Sequence, residues 1–295
     1  MLQAEALPGT GTAAPVLHAV PRRRGATGRL LRSEIRMVFR RRRNLALLAL
    51  LSCAPLAIGV AVKVNQPRPG EDGPQFLGQV TGNGLFLVLV ALTITLPLLL
   101  PLLVGVVAGD AVAGEAGSGT LRYLLTIPVS RTRLLVAKAF GVIAYASAAV
   151  FAVGLVGLAA GAAFFGLDSM TLLSGDTISL GAGLVRILEV VAYVIATLTG
   201  FLAVGMFVST LTEVPIAAMA ATVGVAVIAA VLDQIPQLGG LRTLLFTHHW
   251  LGFGEILRPD VQWHILFSWL GLQLGYVLIF GAAAWARFTT GDITS

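Results

Sequence analysis

The sequence predicts an all-α polytopic membrane protein with six transmembrane helices and an N-terminal interfacial helix. Hydrophobic residues make up 57% of the chain and charged residues 12%, roughly half the ~25% charge of a soluble domain. Several runs approach or exceed the roughly 20 apolar residues that cross a hydrocarbon core. Ten of the twenty Lys and Arg residues lie between Arg22 and Arg43, directly before the first such run, where a juxtamembrane cluster meets an anionic leaflet.

Residues 1–21 are rich in Ala, Gly, Pro and Thr and lack a basic region followed by an apolar core. They read as a disordered cytoplasmic tail, with no signal peptide. Residues 22–43 form the interfacial segment. From 28 onward Leu30, Leu31, Ile35, Val38 and Phe39 share one side of a helical wheel, and Arg29, Arg32, Arg36 and Arg40 the other. These arginines can snorkel to lipid phosphates, which explains them without a substrate role.

The spans are expected at about 44–62, 84–108, 139–166, 184–209, 214–232 and 263–286, together forming one transmembrane domain over 44–286. Pro97 and Pro101 fall inside the second and should bend it. Gly154, Gly157 and Gly161 give the third a face for close helix contact. Residues 233–262 do not fit a span, because Pro236, Gly239, Gly240, Arg242, Glu255, Arg258 and Pro259 interrupt them. One or two short helices in, or dipping into, the outer interface are expected there. Trp263, Trp269 and Trp285 suit interfacial depths or the bundle surface, and 287–295 is a short polar tail.

Six spans place both termini on one side. That side, with the loop at 109–138, carries fifteen of the twenty Lys and Arg; the other carries Lys63, Arg68, Arg186, Arg242 and Arg258. The termini are therefore expected in the cytoplasm, in a multi-pass protein of the cytoplasmic (inner) membrane. The net charge of +6 is concentrated in this way and has no interleaved aromatic residues, so nucleic acid is not an expected partner.

Residues 109–138 form a polar interlude between two apolar runs. Gly117, Ser118 and Gly119 permit a turn, Thr120 is a candidate N-cap, and 120–126 suit a helix of under two turns that Pro128 ends. Ser130 can cap the helix that returns to the membrane. Asp110, Glu115, Arg122 and Arg131 can fix the geometry of this junction within the loop or toward a partner.

The order Glu115, Gly119-Thr120-Leu121-Arg122, Leu124-Leu125, Pro128, Ser130-Arg131, Leu134-Leu135, Lys138 resembles the cytoplasmic loop between the second and third helices of ABC-2-type permeases. The six-helix plan is similar too, which implies an ABC-2, type V exporter-like topology. The resemblance implies that the loop holds a coupling helix docking into a separate ATPase, with Glu115, Gly119, Thr120, Leu121, Arg122, Leu124, Leu125, Pro128 and Arg131 as coupling residues. It also implies a connecting helix at 28–43 and an outer re-entrant region at 233–262. The implied assembly is the permease subunit of an ABC exporter, with a second permease copy or paralogue, two copies of the cytoplasmic ATPase, and surrounding lipid.

The chain lacks a phosphate-binding loop of its own. Its only lysines are Lys63 and Lys138, neither within G-x-x-x-x-G-K-[ST]. No cofactor is expected on this chain; ATP and Mg belong to the partner ATPase. No catalytic residue is expected either, as Gly117-Ser118-Gly119 lacks the G-x-S-x-G pattern and its setting. His248, His249 and His264 have neither a Cys nor a Glu at H-E-x-x-H spacing, so no metal site is expected. Cys53 stands alone within the first apolar run and excludes an intramolecular disulfide. Arg186 and Glu189 should pair along one helix. Thr93, Thr95, Thr197 and Thr199 can line a substrate path, or bond to their own helix backbone. The alternatives are a related membrane protein used for sensing or resistance signalling, an ion-coupled carrier, or an intramembrane enzyme. A carrier usually shows a repeat and a mid-membrane ionisable residue, neither of which is evident.

Overall fold

The computed structural model describes residues 26–65, 82–118, 130–171 and 175–290. Eight α-helices carry these segments: α1 (Ala26–Arg40), α2 (Arg42–Asn65), α3 (Leu85–Thr95), α4 (Leu99–Gly117), α5 (Arg131–Phe165), α6 (Leu180–Ser209), α7 (Pro215–Asp233) and α8 (Trp263–Thr290). Six of them, α2, α4, α5, α6, α7 and α8, are long and apolar enough to cross a membrane.

Helix α1 ends at Arg40, and its expected extension through Arg43 is corrected by an elbow at Arg41. Asn44 holds the elbow. Its side-chain amide donates to the Val38 carbonyl at 2.9 Å, and its own carbonyl accepts from Tyr145 Oη at 3.0 Å. Asn44 and Tyr145 are both buried, so each bond satisfies a polar group removed from water.

The single span expected over 84–108 is two helices. Pro97 has no N–H to continue the ladder from α3, and the chain turns through Leu96, Pro97 and Leu98 before α4 begins. Pro101 does not break α4, because it sits in the first turn, where backbone N–H groups have no intrahelical acceptor. Helix α4 then runs on to Gly117, so the first third of the polar interlude is helix. Helix α5 starts at Arg131, eight residues before the span expected at 139, and Ser130 caps it as expected, its side chain accepting from the Arg133 N–H.

At the end of the bundle remote from α1, a small antiparallel hairpin pairs β1 (Met170–Thr171) with β2 (Thr177–Ile178). Among the described residues it is the one strand pair beside the helices. Asn83 fastens it, donating to the carbonyls of Asp168 and Ser169, each at 2.8 Å. Beside it α5 packs backbone against backbone: a Cβ on Gly161 would collide with Gly84, and one on Gly157 would lie 3.3 Å from Val88 Cα. The small-residue face expected on this helix does serve close approach.

Residues 233–262 contain two 3₁₀ segments, Pro236–Leu244 and Trp250–Leu257. The second, with the turn before it, packs into the bundle, burying Phe246, Trp250, Phe253, Ile256 and Leu257, whereas the first has no buried residue. Phe246 stacks on Phe201 of α6, and its carbonyl accepts from the buried Gln273 amide of α8 at 2.8 Å. Gln273 lies ten residues into α8, about 15 Å along its axis. Asp233 ties the segment to the end of α7, 2.5 Å from His248 Nδ1 and 3.7 Å from Arg242 Nε.

Candidate coupling site

Glu34, Glu115 and Lys138 come from three different helices and meet in the interior at the α1 end. In α1, Leu30, Glu34 and Val38 repeat every fourth residue and so share a face. That face lies on α5, where Gly141 leaves room for Glu34 and Val38. Glu115 ends α4, and Lys138 occupies the second turn of α5. Lys138 Nζ is 2.5 Å from Glu115 Oε1 and 3.5 Å from Glu34 Oε2. All three side chains are at most 5% exposed.

One ammonium therefore serves two carboxylates away from water. Burial pushes the Glu34 carboxyl above its usual range; Lys138 opposes the rise and Glu115 adds to it. Unequal sharing fits this shift, since Lys138 stands a full ångström closer to Glu115 than to Glu34.

A second ionic group lies alongside. Asp110, one turn before Glu115 on α4, is paired with Arg41 at the elbow and with Arg43 of α2, the latter at 2.7 Å. Counting both groups, three carboxylates face three cations. Arg41 and Arg43 are thereby drawn away from the row of Arg29, Arg32, Arg36 and Arg40, which is exposed.

Ser209, which ends α6, locks the same stretch of α4. Its hydroxyl donates to the Gly109 carbonyl at 2.6 Å and accepts from the Val112 and Ala113 N–H groups at 2.9 and 3.0 Å. A side chain inserted into a helical ladder in this way fixes the neighbouring helix locally. On α5, Arg131 donates to the carbonyls of Phe288 and Thr289 at 3.4 and 3.1 Å, joining the start of α5 to the end of α8.

Of the residues expected at the coupling site, Gly119, Thr120, Leu121, Arg122, Leu124, Leu125 and Pro128 lie outside the described residues, as does the short helix expected over 120–126. Glu115 and Arg131 frame that segment, and Glu115 is turned inward onto Lys138. Lys138 and Glu34 were not expected to share a site. Their signal is nevertheless in the sequence: a lone lysine in the apolar run Leu134–Gly141, and a lone acid on the apolar face of an arginine-rich helix, each need a buried partner.

The threonines expected along a path bond to their own helices. Thr93, Thr95, Thr197 and Thr199 donate to the carbonyls of Leu89, Ala91, Val194 and Ala196 at 2.7–2.9 Å. Thr95 and Thr197 are buried within the chain, whereas Thr199 lines an apolar cavity. Arg186 and Glu189 pair at 3.3 Å. His248 bonds to Asp233, His249 stacks on Trp269 with ring centroids 4.7 Å apart, and His264 is exposed.

Residues 29–292 match the family model described as ABC-2 family transporter protein. No curated protein matches the chain.

Proposed function

Because the chain belongs to the ABC-2 transporter family, we propose that it is the membrane permease of an ATP-driven exporter whose ATP is hydrolysed by a separate subunit docked on the loop 109–138, at a coupling helix over 120–126. Family membership makes the chain a transporter membrane component. The coupling to ATP, the exporting direction and the orientation with both termini in the cytoplasm of an inner-membrane protein belong to the proposal. So do the two ATPase copies, which hold ATP and Mg, and the second permease copy or paralogue.

The observation that supports coupling is the Lys138–Glu115 pair, with Glu34 beside it. In sequence, residues 119–129 link the end of α4 to the start of α5. The pair joins those two helices, and Glu34 adds α1. A displacement imposed on the segment by a motor then cannot move one helix alone. It moves α1, α4 and α5 together, while Ser209 and Arg131 carry the displacement to α6 and α8. A permease of this kind responds to ATP only if its states interact differently with the ATP-bound and ATP-free motor; the coupling loop would supply that difference, and the rigid base passes it on.

Affinity purification of the full chain in mild detergent, with identification of co-purifying proteins, tests this function. An ATPase should be recovered, and in the reconstituted complex Glu115→Ala should lower transport-coupled ATP hydrolysis without reducing membrane insertion. Recovery of no ATPase, or unchanged coupling in the variant, counts against it. An ATPase recovered without any ATP-dependent flux would favour the sensing alternative.

A further inference from the structure

An apolar cavity of about 600 Å³ opens between α5, α6 and α8, within the ~300–1,000 Å³ range of small-molecule sites. Its floor is α6, where Ala196, Thr199 and Ala203 are small and leave depth. Its walls are α5, with Val136 and Ile143, and α8, with Leu274 and Gly281. Thr199 has already bonded to its own helix, so the floor presents methyl groups rather than a free hydroxyl. The lining from Leu270 to Trp285 spans sixteen residues of α8, about 22 Å of helix. A long, narrow, apolar occupant suits this shape.

The mouth at the α1 end has different chemistry. Trp285 Nε1 donates to Thr132 Oγ1 at 2.9 Å, so the two walls are joined by a tryptophan of the kind that settles at a membrane interface. Arg133 lies one helical turn from Val136, and Arg287 one turn from Ala284; both Val136 and Ala284 line the cavity. Arg133 and Arg287 are exposed, and neither has an ion-pair partner among the described residues. The adjoining turns, Arg131–Lys138 and Ala283–Thr290, contain no Asp or Glu. Two unpaired guanidinium groups beside an apolar cavity form a complementary pair of surfaces: guanidinium binds phosphate oxygens with directed, charge-assisted hydrogen bonds.

We propose that this cavity holds an acyl chain of a resident anionic phospholipid, whose phosphate is bound by Arg133 and Arg287. A zwitterionic lipid offers the same chain but adds a cation where both arginines already stand. The site does not depend on ATP coupling, since lipid retention is read on the permease without any ATPase. Failure of the proposed function and failure of this site are therefore distinguishable.

The test uses the purified full chain, exposed to mixed phosphatidylglycerol and phosphatidylcholine and then examined by native mass spectrometry. Phosphatidylglycerol should be retained at least tenfold over phosphatidylcholine. The double variant R133Q/R287Q should lose that preference, and Ala203→Phe, which fills the floor, should lose retained lipid with both arginines intact. Phosphatidylglycerol carrying a photoreactive acyl chain should crosslink to α5, α6 and α8 in the unmodified chain, a readout that does not depend on how Ala203→Phe folds. Equal retention of the two lipids, or crosslinks elsewhere, would overturn the proposal. A particle that loses a protein subunit rather than lipid in Ala203→Phe would also overturn it, by assigning the face to a second copy.

Discussion

Lys138 Nζ lies 2.5 Å from Glu115 Oε1, which makes one buried lysine the link between the two helices that carry residues 119–129. Lys138→Met should be strongly destabilising, because it leaves Glu34 and Glu115 buried without their shared cation. Breaking a buried pair from one side costs about 3–5 kcal/mol. Glu34→Gln combined with Glu115→Gln and Lys138→Met removes every charge of the group and should recover much of that loss. Unfolding followed in detergent checks the order; a single variant as stable as the unmodified chain would show that water reaches the site.

Glu34 makes the same group pH-dependent. Burial raises its carboxyl above 4.5, with Lys138 opposing and Glu115 reinforcing. Just above 4.5 the unfolded chain has released this proton while the folded chain keeps it, so stability falls as pH rises through that window. Glu34→Gln cannot titrate and should flatten this part of the profile. An unchanged slope in the variant would assign it to other groups.

The six-span plan was legible because spans declare themselves by length and apolarity, and the break at Pro97 because proline removes a donor. The buried ionic group was not legible as a group. Glu34 and Lys138 are 104 residues apart, and only packing of α1 on α5 brings them together. Charge counting placed Lys138 with the other cations of the loop side at 109–138, although the apolar residues around it already required a partner. The hairpin at Met170 and Ile178 escaped notice because two residues per strand carry no alternation. The threonines show the opposite difficulty: a hydroxyl in an apolar span reads equally as path or as self-bonded helix, and only the distance to its own carbonyl decides.

Asp110 pairs with two arginines that remain partly exposed, 36% for Arg41 and 41% for Arg43, while its own side chain is 6% exposed. The carboxylate has the most to lose. Asp110→Asn should cost about 1.5–3 kcal/mol, the range for hydrogen bonds to charged groups. Arg43→Ala should cost under about 1 kcal/mol, because Arg41 still covers Asp110. The reverse order in unfolding measurements would place the energetic weight on Arg43.

The contact between Gly161 and Gly84 predicts a position-specific glycine effect. Gly161→Ala should cost about 1–3 kcal/mol, as expected of overpacking against atoms that cannot yield, because its Cβ meets backbone. Gly271 of α8 has nothing within 4 Å of an added Cβ. There Gly271→Ala should be neutral or stabilising by up to about 1 kcal/mol, through helix propensity. Equal effects at the two sites would mean that α5 can shift away from α3.

At the hairpin end the pH response should have the opposite sign. Burial lowers the His249 imidazole below 6.5, His248 lowers it further, and Asp233 opposes them. The neutral ring lies flat on Trp269, with the planes 10° apart. Above 6.5 both states are neutral and the stack contributes fully. As pH falls through 6.5 the unfolded chain takes up a proton that the folded site resists, so stability is lost on acidification. His249→Phe keeps an aromatic ring on Trp269 but cannot titrate, and should hold its thermal unfolding temperature between pH 7.5 and 5.5 better than the unmodified chain. A parallel fall in both proteins would move the acid sensitivity away from this stack.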